Sequence, residues 1–111
     1  MLLAEIISES AVGTLFVGGQ LEIVVDDHAI ARADLRGVDP RAVDYTLRRL
    51  NRHLDKLSSI ESGEKFWVYD WSREIALGLR RISSTKLKFI LKTVYPEKPA
   101  LTPSADKIIT I

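Results

Sequence analysis

The sequence predicts an α+β fold, with two helices in the N-terminal half packed on an antiparallel sheet of about four to five strands. Three observations predict it. A Gly-Gly pair between two β-rich arms opens the chain's structured part. An unbroken apolar stripe at helical spacing follows. A run of aromatic and β-branched segments then closes it, so helices and consecutive strands are segregated along the chain.

The first arm is Thr14–Val17 and the second Leu21–Val25, flanking Gly18-Gly19, a pair that supplies the positive φ angles of a tight hairpin turn. The preceding LLAEII at residues 2–7 is apolar but too short to assign. Asp26-Asp27 offers a helix N-cap rather than a metal site, because a carboxylate there accepts unpaired N–H groups and complements the dipole. Residues 28–36 have helix-forming composition, and Gly37 can end that helix in the left-handed conformation. Asp39-Pro40 starts a second helix, Asp as cap and Pro at the first helical position. Val43, Leu47, Leu50, Leu54 and Leu57 then fall at spacings of 4, 3, 4 and 3, one stripe on a helix of about four or five turns.

After a polar loop at 58–63, Phe66–Tyr69 and Ile75–Leu79 read as strands. Lys86–Tyr95 reads as the longest strand, with Leu87, Phe89, Leu91, Thr93 and Tyr95 on one face and Lys86, Lys88 and Lys92 on the other. Pro96 and Pro99 end it. Residues 97–111 read either as a loose tail or, over Ile108–Ile111, as an edge strand. A chain of 111 residues with 46% hydrophobic content suits one domain, 1–111, around one core.

The chain contains no cysteine, which excludes disulfides, thiolate zinc sites and cysteine nucleophiles. His28 and His53 are the two histidines and no HExxH-like spacing exists, so neither a metal nor a cofactor is expected. The N-terminus lacks the basic region of a signal peptide and no apolar run approaches membrane-spanning length, so the expected location is the cytoplasm. Charge is uneven. Residues 1–30 hold five acids and no Lys or Arg, leaving all 16 basic residues against 10 acids in the remainder, a balance of +6. This permits a polyanionic partner such as RNA, and equally a solvated basic face.

His28, Arg32 and Arg36 recur every four residues, so on a helix they form a ridge one turn apart. Arg binds phosphate oxygens through a planar fork and is always charged, while His moves protons near neutrality. Such a trio suits phosphodiester cleavage: a base takes the 2′-hydroxyl proton and cations stabilise the phosphorane. The same spacing is also met on ordinary surface helices, where a histidine in the first turn packs or caps.

The stretch His28–Leu47, H-x3-R-x3-R-G-V followed by D-P-x2-V-x3-L, resembles small RelE-like RNases, among them RegB-like phage endoribonucleases and bacterial domains with H-A-x2-R-x3-R-G-[IV] before an amphipathic helix. The segments holding Trp67–Tyr69, Leu77–Leu79 and Ile90–Pro96 look like that fold's closing strands, so the resemblance covers roughly residues 20–96. It implies cutting of RNA, commonly mRNA, without a metal, to a 2′,3′-cyclic phosphate. It makes His28 the general base or acid and Arg32 and Arg36 the phosphate-holding groups. Thr93 and Tyr95 become hydrogen-bonding or base-stacking groups facing the cleft. One departure stands out. The second histidine of RegB-type enzymes falls, without gaps, on Arg48, and His53 lies five residues further on. A partner acid is therefore missing, or His53 or an arginine substitutes.

Arg48, Arg52, His53, Lys88 and Lys92 are the candidate RNA-contacting groups, with Arg41 and Arg49 beside them on a helix face that solvent also explains. Trp67 and Trp71 read as core or rim. The function expected is a metal-independent endoribonuclease on single-stranded RNA, of phage or toxin type. Its partners would be mRNA, on or off the ribosome, and an antitoxin or inhibitor protein, with no membrane. The rivals are a non-catalytic RNA-binding module and a structural or inhibitory protein on the same scaffold.

Overall fold

The computed structural model describes residues 14–16, 20–96 and 107–111. In chain order the elements are β1 (Thr14–Phe16), β2 (Leu21–Val25), α1 (Asp27–Leu35), α2 (Pro40–Arg49), a 3-10 turn (Leu50–Arg52), α3 (Leu54–Ser58), β3 (Lys65–Asp70), β4 (Ile75–Arg81), β5 (Leu87–Tyr95) and β6 (Lys107–Thr110). The fold is α+β. Among the described residues, six strands form one sheet in the order β1-β2-β5-β4-β3-β6. The segment at 2–7, the Gly18-Gly19 turn and the tail at 97–106 lie outside the described residues.

The sheet is mixed, not antiparallel as expected. β1–β2, β3–β4 and β4–β5 are antiparallel, but β2 pairs with β5 in parallel and β3 with β6 in parallel. The helices α1–α3 carry the chain from β2 across to β3, and β3 and β4 follow before β5 returns beside β2, the long connection that a parallel pair requires. Alternation along a strand reports which face is buried and carries no information on a neighbour's direction.

Leu21, Ile23 and Val25 of β2, Phe66 and Val68 of β3, Leu77 and Leu79 of β4, and Phe89, Leu91 and Val94 of β5 share one core with Ala29, Ala33, Val43, Leu47, Leu50 and Leu57 from the helical segment. Phe66 and Phe89 meet edge-to-face at 5.5 Å. Such a pair contributes about 0.5–1.5 kcal/mol beyond its area.

The expected long helix is broken. After Arg49 the chain tightens into the 3-10 turn, and His53 leaves helical geometry at φ −124°, ψ 33°. Asn51 and His53 favour helix weakly. The break still lets Leu47 and Leu50 on one side and Leu57 on the other reach the core.

The largest correction concerns β5. Gly78 pairs with Thr93 but Leu79 pairs with Leu91, so Lys92 is an extra residue with no partner on β4. A bulge of one residue reverses which side chains face the core. Val94 is buried instead of Thr93, and Thr93 and Tyr95 lie opposite Leu87, Phe89 and Leu91 rather than beside them.

Candidate functional site where the first helix meets the fifth strand

Helix α1 is held where the sequence expects it. Asp26 caps it, its carboxylate accepting the His28 N–H at 2.8 Å. At the other end Gly37 has φ 66°, and the Val38 N–H reaches Ala33 O at 3.0 Å, a Schellman-type closure. β2 stops at Val25, opposite Leu91. The Asp26 N–H makes one more bond, to Leu91 O at 3.2 Å, and beyond it α1 packs against β5. Ala29 and Ala33 are fully buried, whereas His28 and Arg32 are exposed.

His28 and Arg32 line a cleft of about 400 Å³ together with Lys65, Phe66, Trp67, Gly78, Leu79, Lys92 and Thr93. Trp67, Gly78 and Thr93 form one row across three strands, on the face opposite the core. A side chain on Gly78 has no room, because a Cβ would lie 2.7 Å from Thr93 Cγ2 and 3.2 Å from Trp67 Cζ3. Lys92, at the bulge, binds Asp26 Oδ2 at 2.8 Å. That hydrogen bond, with the His28 N–H, holds the Asp26 carboxyl below its usual range. Asp26 therefore fixes both the start of α1 and the ammonium facing the cleft.

Arg36 departs from its expected role. Its Nη1 donates to Thr93 Oγ1 at 3.2 Å and to Val94 O at 2.8 Å, and its guanidinium lies 3.9 Å from the Tyr95 ring centre. Tyr95 in turn packs against Trp67 at 5.5 Å. Neither Arg36 nor Tyr95 lines the cleft. They brace it, tying α1 to β5 and propping Trp67.

The expected RNA-contacting residues are not gathered in one place. Lys92 lines the cleft. Lys88 pairs with Glu22 at 3.8 Å on neighbouring strands. Arg48 is bound to Asp44 at 3.1 Å on the exposed side of α2, and Arg52 is exposed in the 3-10 turn. His53 lies at the helix break, where burial first and the neighbouring Lys56 and Arg49 next lower its pKa. Sequence reasoning missed Lys65, Trp67 and Gly78 as lining residues. A glycine inside a strand is itself a sign of close approach, and Gly78 carried that sign.

A second polar cluster lies elsewhere. Asp70 at the end of β3 is fully buried and accepts from Thr46 Oγ1 at 2.9 Å, Ser72 Oγ at 2.9 Å and the Arg73 N–H at 3.3 Å. Arg73 and Arg49 also reach its Oδ2, at 3.3 and 3.5 Å. Burial raises the Asp70 pKa, but these hydrogen bonds and the Arg73 charge outweigh it, and the net shift is downward.

Among the described residues no group of His, Asp and Glu could hold a metal ion, and no helix is long and apolar enough to cross a membrane. Comparison with protein-family models, curated proteins and solved structures finds no match.

Proposed function

We propose that the protein is a metal-independent endoribonuclease that cleaves single-stranded RNA by 2′-hydroxyl attack, leaving a 2′,3′-cyclic phosphate. The observation that carries this reading is the convergence of His28, Arg32, Lys92 and Thr93 on one cleft. His28 takes the 2′-hydroxyl proton. Arg32 and Lys92 hold the scissile phosphate and stabilise the charge that grows on it, the kind of electrostatic assistance that dominates acyl and phosphoryl transfer. The 5′-oxygen leaves with a proton from water, since His28 is the one imidazole lining the cleft. A single strand is the fitting substrate, because its bases can be splayed out of a stack. The RelE-like and RegB-like resemblance makes mRNA the RNA class, with a cognate antitoxin or inhibitor as protein partner.

The absence of a second imidazole from the cleft lining favours one rival, a non-catalytic RNA-binding module using the same cations. Incubating the purified protein with single-stranded RNA in EDTA separates the two. Fragments ending in a cyclic phosphate are expected from RNA and none from its 2′-deoxy counterpart. EDTA-sensitive cutting, cutting of the deoxy strand, or binding without cutting would overturn the nuclease reading.

A further inference from the structure

We infer that the floor of the cleft, Trp67 lying over Gly78, is a nucleobase subsite for the nucleotide whose phosphate meets His28 and Arg32. This rests on reading the cleft as an RNA site.

The platform is built rather than incidental. Gly78 carries no side chain on the row Trp67–Gly78–Thr93, and a Cβ there would collide with Thr93 Cγ2 and press on the Trp67 ring, so the glycine is what lets the indole lie close across β4. The indole is propped by Tyr95 at 5.5 Å, and Tyr95 is covered by the Arg36 guanidinium, which is itself anchored to Thr93 and Val94. An unbroken chain of contacts thus runs from α1, the helix carrying His28 and Arg32, to Trp67. A platform held this way loses little freedom on binding.

The surroundings select the occupant. Lys65 lines one side of the cleft through its place two residues before Trp67 on β3, and Arg80 pairs with Lys65 in register on β4. His28, Arg32 and Lys92 come from α1 and β5 on the other. An apolar aromatic floor between two cationic margins complements a flat base flanked by phosphates, the pattern by which single-stranded nucleic acid is bound. An acidic peptide would meet the cations but leave the indole without a partner. The Thr93 hydroxyl already accepts from Arg36, so its proton is directed away from that bond and is available to a carbonyl oxygen of the base.

The test uses the full chain carrying Trp71→Phe, which leaves Trp67 as its sole indole. A short 2′-O-methyl RNA, uncleavable by 2′-hydroxyl attack, is titrated at low salt while indole emission is followed. Saturable quenching is expected. Anisotropy of the labelled oligomer should show Trp67→Leu binding roughly tenfold or more weakly, the size of one lost base stack, with Trp67→Phe restoring most of it. Should Trp67→Leu not fold, the quenching and the Trp67→Phe titration still decide. RNA binding or cleavage with Trp67 emission unmoved and Trp67→Leu affinity unchanged would overturn the subsite and leave the nuclease reading intact. Quenching by a protein that cuts no RNA would uphold the subsite and remove the nuclease reading.

Discussion

Two arginine–tyrosine contacts sit in different regions of this molecule and meet different fates. Arg73 lies 3.7 Å from the Tyr45 ring centre and is neutralised by the buried Asp70 carboxylate. Arg36 lies 3.9 Å from Tyr95 but bonds only uncharged oxygens, those of Thr93 and Val94. The first arrangement locks α2 to the β3–β4 turn, with the guanidiniums of Arg49 and Arg73 both turned onto one buried carboxylate. The second fixes α1 against β5 while its positive charge persists, beside Arg32 and Lys92 and with Asp26 as the one carboxylate bonded there. Cations gathered on a buried carboxylate mark a structural joint, whereas cations beside an open cleft mark a place for an anion.

That contrast is broken most severely at His28. His28→Ala should lower RNA cleavage by roughly 10²–10⁴-fold, the usual worth of a positioned acid or base. The helix cap should survive, because the donor to Asp26 is the His28 main-chain N–H. Circular dichroism checks the fold and gel-resolved rates check the chemistry. Arg32→Ala should cost about 10²–10³-fold, by analogy with loss of one donor to a developing oxyanion.

At the structural joint the effect should be on stability alone. Asp70→Ala should destabilise by about 3–5 kcal/mol in urea unfolding, since it strands Thr46 and two arginines around an emptied site. The sign with pH follows from the downward shift of the Asp70 pKa. The carboxylate's contribution is present above its unfolded value near 3.8 and is lost as pH falls through the lower folded value. Asp70→Asn should therefore flatten the acid limb of the stability curve below that pH. The smallest change sharpens the turn beside it. Glu74 has φ 55°, a left-handed conformation, and Glu74→Gly should raise stability by up to about 1 kcal/mol, read as a shift in the urea midpoint.

Much of the fold could be read from residue patterns because local chemistry decided it. As helix caps and stops, Asp26, Gly37 and Asp39-Pro40 act on residues next to them in the chain, and all three behave as their types demand. The helical ridge was legible for the same reason, which is why His28 and Arg32 could be named together. What escaped reading depends on partners distant in sequence. Nothing near Lys92 announces a bulge, since it arises from the pairing of β5 with Gly78 and Leu79 on β4. That single extra residue turns Thr93 and Tyr95 to the cleft side, the side on which alternation already places Lys92. The Thr46–Asp70 bond joins residues 24 apart, and no local signal marks either as buried.

The most direct measurement is where RNA touches. Backbone amide resonances of the ¹⁵N-labelled protein, followed while uncleavable 2′-O-methyl RNA is added, should move at His28, Arg32, Lys65, Trp67, Gly78 and Thr93. Resonances around Asp70 and on the Arg48–Arg52 face should stay still. Shifts gathered on Arg48 and Arg52, with His28 and Thr93 unmoved, would contradict the assignment of the cleft as the site.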